Sequence, residues 1–254
     1  MSAKHYNISY LEQTGRFLKN LKEQSYQPFT AIRKGAVIDL GCGTGMDVLK
    51  LSELLGGQVK VFGIDHDPEM LAKGKAAAYD NKQVEFILSE ASPIPFTDGT
   101  VQGVRAERLV QHLTAPDAVM KEIHRVLEHD HPLVLVETDW PGLSFCNAHL
   151  PIERKVIGYL TDVKINNGLA ARKLTGYLEA AGFRDIRLEL FPFVIRTLAE
   201  ANEYLWIERI LKETADNGFI SQEEHDIFLG AMKDADASGY FACSIQVVVT
   251  TCVK

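Results

Sequence analysis

The chain has 254 residues, of which 46% are hydrophobic and 24% charged, and its formal net charge is -7. This composition is typical of a globular protein, with enough chain for one large α/β domain or a domain with a small cap. Nucleic acids and anionic membranes are bound mainly through clustered Lys and Arg, so the acidic balance disfavours both as partners. The sequence has no apolar run long enough to span a bilayer and a polar start unlike a signal peptide, which predicts a cytoplasmic protein.

No metal site is predicted. The four cysteines are far apart and show no CxxC spacing, which argues against a disulfide framework and a zinc site. His124, His129 and His131 lie close in sequence, but their spacing fits no metal-binding template. The segment that begins at Asp234 imitates a calcium loop, yet Ile245 stands where the bidentate glutamate is required.

The predicted elements alternate in the first half of the chain. Short β-branched runs predict strands at residues 35–41, 59–65, 84–91, 101–108 and 132–140. Amphipathic segments between them predict helices at 45–56, 67–80 and 115–129. This alternation is typical of a parallel sheet that is covered by helices on both faces.

The second half is predicted to be richer in helices. Helices are expected at 150–168, 170–183, 198–218 and 221–239, with strands at 184–195 and 240–253. Another helix, at 9–24, precedes the first strand and is expected to close over a site. Because no internal repeat or linker-like tract appears, we predict a single domain over residues 1–254, with the late helices forming a cap.

The stretch VIDLGCGTG, which joins the first strand to the next helix, indicates a nucleotide-like ligand. Gly41, Gly43 and Gly45 allow a backbone turn that approaches a ligand closely, and the following helix presents free N–H groups there. The dinucleotide fingerprint G-x-G-x-x-G is not matched, because Met46 stands at its last glycine. Asp39 at the strand end would repel a pyrophosphate and attract an ammonium group. The expected ligand is therefore cationic.

Two further acids lie at the ends of the next two predicted strands. Asp65 ends the second strand, where an acid accepts ribose hydroxyls in dinucleotide folds. Glu90 stands at the end of the third strand, where its carboxylate or the neighbouring backbone can meet an adenine amine. S-adenosylmethionine has an ammonium group, a ribose and an adenine but no phosphate, so it fits these acids.

Several motifs together resemble the class I, S-adenosylmethionine-dependent methyltransferases, in particular the branch that acts on small molecules and quinones. The motifs are VIDLGCGTG, GIDHDPEML, SEASPIPFTDGTVQGV, ERLVQHL and IHRVLEHDHPLVLVETDW. The resemblance implies a Rossmann-like, doubly wound sheet of seven mostly parallel strands, with S-adenosylhomocysteine as the product. We expect the single domain to comprise an N-terminal helical lid (1–30), a cofactor-binding core (31–140) and the remaining sheet with a helical cap (141–254).

The resemblance also implies the cofactor-binding residues. They are Asp39, Gly41, Cys42, Gly43, Gly45, Asp65, His66, Met70, Glu90, Ala91, Glu107 and Arg108. Members usually carry Asp at the position of Glu90, and a basic-Pro-Gly-Gly turn where this chain has EHDHP.

His112 follows the fourth strand and is the candidate general base, with packing as the favoured alternative because methyl transfer often needs no base. Glu137, Asp139 and Trp140 end the fifth strand, where they line an acceptor pocket or cap the strand. Tyr6 and Tyr10 in the N-terminal helix either cover the cofactor or are surface aromatics.

The predicted function is methyl transfer to a small organic acceptor through an oxygen, nitrogen or carbon nucleophile. The alternatives are an NAD-dependent oxidoreductase, which Asp39 and the early third glycine disfavour, and a cofactor-binding protein without chemistry. An RNA or protein methyltransferase is disfavoured by the acidic charge and by the lack of an Asn/Asp-Pro-Pro-aromatic tetrad.

Overall fold

A computed structural model of the chain describes residues 19–146 and 149–254. Its strands are β1 (Gly35–Leu40), β2 (Val59–Asp65), β3 (Val84–Leu88), β4 (Gly103–Glu107), β5 (Pro132–Phe145), β6 (Arg184–Ile195) and β7 (Cys243–Val253). Its α-helices are α1 (Lys19–Tyr26), α2 (Met46–Leu55), α3 (Pro68–Ala77), α4 (Pro116–Val126), α5 (Leu150–Tyr159), α6 (Ala170–Ala181), α7 (Leu198–Leu205), α8 (Ile207–Asp216) and α9 (Gln222–Ala237). Short 3-10 turns lie at Gln27–Phe29 and Val110–His112, and a π turn at Leu160–Lys164 extends α5.

The strands form one sheet in the order β3-β2-β1-β4-β5-β7-β6. The pairs β1–β2, β2–β3, β1–β4 and β4–β5 are parallel, so their carboxyl ends meet at one edge. In this register Asp39 of β1 lies beside Gly63 on one side and Arg105 on the other. The glycine turn follows β1 next to the point where the chain order reverses, which is where open α/β sheets bind ligands.

Local sequence signals explain several helix boundaries. Asp67 caps α3 by accepting hydrogen bonds from the backbone N–H groups of Glu69 and Met70, and Pro68 occupies the first turn. Ser221 and Glu224 form a reciprocal capping box at the start of α9. Residues 234–237, which imitate part of a calcium loop in sequence, lie in this helix.

The chain forms two compact units. The first comprises residues 20–137, 172–189 and 248–254, and its core is built from apolar strand residues such as Val37, Ile38, Val61, Ile64 and Val104. The second comprises residues 138–146, 149–171 and 190–247. Its core consists of side chains from α5, α7, α8 and α9 and from strand residues such as Leu143, Phe145 and Ile245.

The expected seven-stranded, mostly parallel α/β sheet with helices is confirmed, and β6 spans the predicted residues. Several predicted boundaries differ from the observed ones, and two of these differences alter an element. The strand predicted to stop at Trp140 continues to Phe145. The helix predicted over 198–218 is two helices, because Trp206 adopts a left-handed backbone conformation with φ 54°.

Some expectations are not tested by the fold. Only the last part of the N-terminal helix predicted at 9–24 lies within the described residues, where α1 spans Lys19–Tyr26. The division of one domain into lid, core and cap stays a prediction. No helix among residues 19–146 and 149–254 combines the length and the apolar character needed to cross a membrane.

Candidate functional site

The glycine turn after β1 has a backbone that only glycine adopts without strain. Gly41, Gly43 and Gly45 have φ values of 75°, 52° and 75°. A Cβ atom at Gly45 would lie 2.4 Å from Cζ of Phe86, and one at Gly41 would lie 3.0 Å from Cδ1 of Leu109. The three glycines are therefore required by conformation, and Gly45 also by packing.

A single Phe86 ring covers the backbone of three glycines. Cβ atoms added at Gly63 and Gly74 would lie 2.7 and 2.8 Å from ring atoms of Phe86, in addition to the contact at Gly45. These glycines lie in β2, in α3 and at the start of α2. The ring therefore fixes how closely the two helices approach the sheet below the turn.

Asp65 at the end of β2 orders the turn. Its Oδ2 accepts a hydrogen bond from Gly43 N (2.8 Å), and its Oδ1 accepts one from Asp67 N (2.9 Å). A carboxylate oxygen has two acceptor positions, so each oxygen keeps capacity for a ribose hydroxyl. His66 is largely exposed, and its Nδ1 lies 3.5 Å from Asp65 Oδ1.

The other predicted contacts along β2 and β3 differ in exposure. Met70 is buried in the first turn of α3, whereas Glu90 after β3 is exposed and Ala91 is half-buried. Cys42 is half-buried within the turn, and burial raises the pKa of its thiol well above the usual range. Cys42 is therefore a neutral thiol at physiological pH.

A fully buried arginine lies beside the turn. Arg105 of β4 is 0% exposed and contacts three carboxylates, one each from β1, the first turn of α2 and β4. Its Nη1 lies 3.4 Å from Asp39 Oδ1 and 3.1 Å from Asp47 Oδ2, and its Nη2 lies 2.6 Å from Glu107 Oε2. We call these four residues the Arg105 cluster.

Helix α1 adds two side chains to the cluster. Lys22 Nζ donates to both oxygens of Asp47 (3.0 and 2.9 Å) and lies 3.4 Å from Glu107 Oε2. Tyr26 donates its hydroxyl to Asp47 Oδ1 at 2.5 Å, and its ring centroid lies 5.1 Å from Cζ of Arg105. The α1 helix is thereby tied to the start of α2.

The carboxylates of the cluster are not equivalent in protonation. Burial acts to raise the pKa of Asp47, but Arg105 and Lys22 and the Tyr26 hydrogen bond more than offset it, so the pKa is below the usual range. The pKa of Glu107 is also lowered, because Lys22 and Arg105 outweigh burial. Burial raises the pKa of Asp39 to about 7, and Arg105 opposes this only in part.

Sequence reasoning found Asp39 and Glu107 but missed Lys22, Tyr26, Asp47 and Arg105. A usable signal was present, because an arginine in the middle of a strand that is otherwise buried needs a carboxylate partner. The sequence expected Asp39 to be ready for an ammonium group, whereas the structure shows it next to a guanidinium.

The segment after β4 carries the other predicted contacts. Arg108 has a left-handed backbone with φ 52° and donates its N–H to Val136 O (2.7 Å), while its Nη2 lies 3.4 Å from Glu107 Oε1. His112 ends the next 3-10 turn and is half-buried. Its Nε2 lies 3.2 Å from Gln111 Nε2, which is a donor, so the Nε2 lone pair of His112 is already engaged.

Glu137 of β5 supports the turn that carries His112. Its Oε1 accepts the N–H of Val110 at 2.5 Å, while its Oε2 has no hydrogen-bond partner among the described residues. The side chain is completely buried, which raises its pKa to about 8. Glu137 is therefore protonated and neutral at pH 7.

This burial predicts a pH dependence of stability. The unfolded chain ionises Glu137 near the ordinary carboxyl pKa of about 4.3, whereas the folded protein keeps it protonated up to a pKa of about 8. The contribution of Glu137 to folding stability is therefore complete below the unfolded-state pKa, and it is lost as the pH rises from that pKa to the folded-state pKa. Glu137→Gln should remove this loss, so urea denaturation at pH 5 and pH 8 should show the variant gaining relative to wild type at pH 8. A constant difference between the two proteins would contradict a protonated Glu137.

The predicted acceptor-pocket residues of the second unit are engaged in its own structure. Asp139 is buried and accepts a hydrogen bond from Gln246 Nε2 (2.9 Å), and Trp140 packs against the core of that unit. Tyr6 and Tyr10 lie outside the described residues. Within the described ranges, no group of three or more His, Cys, Asp or Glu side chains is arranged to hold a metal ion.

Comparison with protein families gives a match over the part of the chain that builds this turn. Residues 37–130 match the model of a family described as methyltransferase domain. Residues 37–130 are therefore similar to methyltransferase domains, in agreement with the class I, S-adenosylmethionine-dependent methyltransferase motifs of the sequence.

Curated relatives match between two fifths and most of the chain. A demethylmenaquinone methyltransferase of Lactococcus lactis is 36% identical over 110 residues, which is 42% of this chain and 44% of that protein. An uncharacterized protein in a Streptomyces fradiae transposon is 28% identical over 215 residues, 84% of this chain and 62% of that protein. The chain thus spans less than two thirds of the length of these relatives.

Solved structures similar to this chain confirm the fold around the methyltransferase domain. The YcgJ protein of Bacillus subtilis has a TM-score of 0.61 at 16% identity, over 91% of this chain and 98% of that one. A geranyl diphosphate methyltransferase in complex with S-adenosylmethionine has a TM-score of 0.59 at 15% identity, over 99% of this chain and 92% of that one. At such identities the likeness shows the fold.

Proposed function

We propose that the protein transfers a methyl group from S-adenosylmethionine to a small organic acceptor. The observation that carries the proposal is the left-handed glycine turn, which is held by Asp65 and bordered by three carboxylates, Asp39, Asp47 and Glu107, that outnumber the cations Arg105 and Lys22. A phosphate-bearing dinucleotide would meet Asp39 and Glu107 here, whereas a cofactor with an ammonium group and no phosphate is attracted by them.

The residues present fit each part of this cofactor. The turn Gly41–Gly45 approaches the methionine part, Asp39 and Glu107 attract its ammonium group, and Asp65 accepts from the ribose. Glu90, which is exposed after β3, and Ala91 lie where the resemblance expects the adenine. His66, Met70 and Arg108 are proposed to border the same ligand.

When bound, the cofactor supplies an activated methyl group on a sulfonium centre. The protein then contributes mainly by aligning the acceptor and excluding water, which supplies about 7–11 kcal/mol for ideal alignment. A small acceptor is supported by the acidic net charge of -7, which disfavours nucleic acid, and by the similarity to a demethylmenaquinone methyltransferase. We propose action in the cytoplasm, without a nucleic-acid or membrane partner.

Calorimetry tests the cofactor assignment. S-adenosylmethionine and S-adenosylhomocysteine should bind with dissociation constants on the order of micromolar, about −8 kcal/mol, and NAD far more weakly. Tight NAD binding without binding of either sulfur nucleoside would overturn the proposal. If the sulfur nucleosides bind but no acceptor in a screen of phenols, amines and quinones is methylated, the protein binds the cofactor without this chemistry.

We propose that His112 packs against the site and does not act as a general base. Its Nε2 is engaged by Gln111, and it lies on a turn held by the buried Glu137. His112→Ala should therefore lower stability and cofactor affinity together, while His112→Gln, which keeps a polar side chain of similar length, should retain most activity. A loss of turnover of about 10²-fold or more at unchanged cofactor affinity would instead identify a base.

A further inference from the structure

The three carboxylates around Arg105 differ in how well they are compensated. Asp47 accepts hydrogen bonds from Lys22, Tyr26 and Arg105, and Glu107 lies near Arg105, Lys22 and Arg108. Among the described residues, Asp39 contacts only Arg105 Nη1, at the long distance of 3.4 Å. It also shares that nitrogen with Asp47, which is closer at 3.1 Å. Asp39 is thus the least compensated acid.

The charges that face Asp39 come from three elements. Arg105 and Glu107 belong to β4, Asp47 to α2 and Lys22 to α1, so two cations and two other carboxylates act on it. Asp39 itself is only 3% exposed, so bulk water solvates its carboxylate poorly. Its pKa of about 7 follows from this burial with incomplete compensation.

Arg105 contacts the acids of the cluster but is closed to solvent. Its side chain is 0% exposed, and all its charged partners are carboxylates of the cluster. A planar guanidinium donates in several fixed directions and so spans acids from three elements at once, which a single ammonium on a flexible stem does not. The arginine thereby fixes the positions of the three carboxylates, and its ion pair with Asp39 is the longest of the three.

We propose that Arg105 is a positioning residue that compensates the negative charge of Asp39 only in part, so that the ammonium group of the cofactor displaces a proton from Asp39 on binding. This inference rests on the proposed function. The protonated carboxyl of Asp39 loses its proton to solvent, and the resulting carboxylate pairs with the incoming ammonium. Cofactor binding is therefore linked to the release of a proton.

The linkage has a defined pH window. Below pH 7 the free protein carries the proton on Asp39, so cofactor binding releases it. The affinity for S-adenosylhomocysteine therefore falls by up to about tenfold for each pH unit by which the pH is lowered. Above pH 7 Asp39 is already ionised, and this dependence disappears. Titration calorimetry of S-adenosylhomocysteine in two buffers of different ionisation enthalpy measures the number of protons released per cofactor bound. We expect a number close to one at pH 6 and close to zero at pH 8.

Variants separate this role from a structural one. Asp39→Asn should abolish proton release and flatten the pH profile. Arg105→Lys should move the midpoint of proton release to higher pH, because Asp39 loses its guanidinium contact. Arg125→Lys is the matched control, since Arg125 also bonds two carboxylates, Glu122 and Asp98, outside the cluster, and its proton count should equal that of wild type. A merely structural Arg105 would change affinity equally at all pH values.

The two proposals fail differently. Binding of S-adenosylhomocysteine without proton release at pH 6 overturns the linkage and leaves the proposed cofactor intact. Absence of binding at every pH overturns the cofactor assignment and this inference with it. If Arg105→Lys does not fold, the proton count of the wild-type protein still decides the linkage.

Discussion

Gly45→Ala should destabilise the protein strongly and weaken cofactor binding by more than tenfold. Alanine at φ 75° adopts the left-handed conformation at a cost of about 1–2 kcal/mol. Its Cβ would also lie 2.4 Å from the Phe86 ring, and such overpacking costs about 1–3 kcal/mol more. Urea denaturation and calorimetric titration of S-adenosylhomocysteine measure the two effects.

Gly56→Ala is the matched control at the other end of the same helix. Gly56 has φ 71°, but no heavy atom lies within 4 Å of the Cβ that alanine would add. Its ψ of −178° lies in a region that is nearly exclusive to glycine, so Gly56→Ala should cost about 1–3 kcal/mol of backbone strain but leave cofactor affinity unchanged. Replacing Phe86 by leucine in the Gly45→Ala background should recover part of the lost stability, and no recovery would show that the Phe86 contact does not matter.

Asp65→Ala should reduce cofactor affinity about 10- to 150-fold, which corresponds to about 1.5–3 kcal/mol for a lost charged hydrogen bond. The carboxylate also accepts the N–H groups of Gly43 and Asp67, so the free protein should become less stable as well. Calorimetry at a temperature where the variant remains folded isolates the affinity.

The exposed Asp98 provides the control for Asp65. Its partner is Arg125 on α4, and its side chain is 76% exposed, so Asp98→Ala should change neither cofactor affinity nor stability by more than a surface ion pair does, about 0–1 kcal/mol. Normal binding by Asp65→Ala would remove the ribose role and leave Asp65 as a support of the turn.

Much of the fold was predictable because strand and helix periods differ. The predicted and observed bounds of β2 and β6 agree, and those of α2 and α6 differ by at most two residues. The break at Trp206 was not predictable from glycine or proline. The side chain of Asn202 accepts a hydrogen bond from the N–H of Glu208 and so caps the start of α8. An asparagine within a helical pattern does not by itself predict such a cap.

The site was predictable only in part. The glycine turn and Asp65 were predictable from local sequence, because each directly follows or ends a strand and the two strands are parallel neighbours. The Arg105 cluster and its α1 partners join residues that are up to 85 positions apart, from Lys22 to Glu107, so no local pattern contains them. Only the unusual charge within β4 indicates that such partners must exist.

The Phe86 ring has an evolutionary consequence. Because one side chain excludes a Cβ atom at three separate positions, alanine at Gly74 becomes tolerable only after position 86 has become smaller, and alanine at Gly63 also needs a smaller residue at position 42, since Cys42 Sγ would lie 2.8 Å from its Cβ. Gly45 remains barred even then, since its φ of 75° disfavours any other residue. Related sequences should therefore show positions 63 and 74 covarying with position 86, while position 45 stays invariant. Covariation would mark the positions that packing constrains, and invariance would mark the position that backbone geometry constrains.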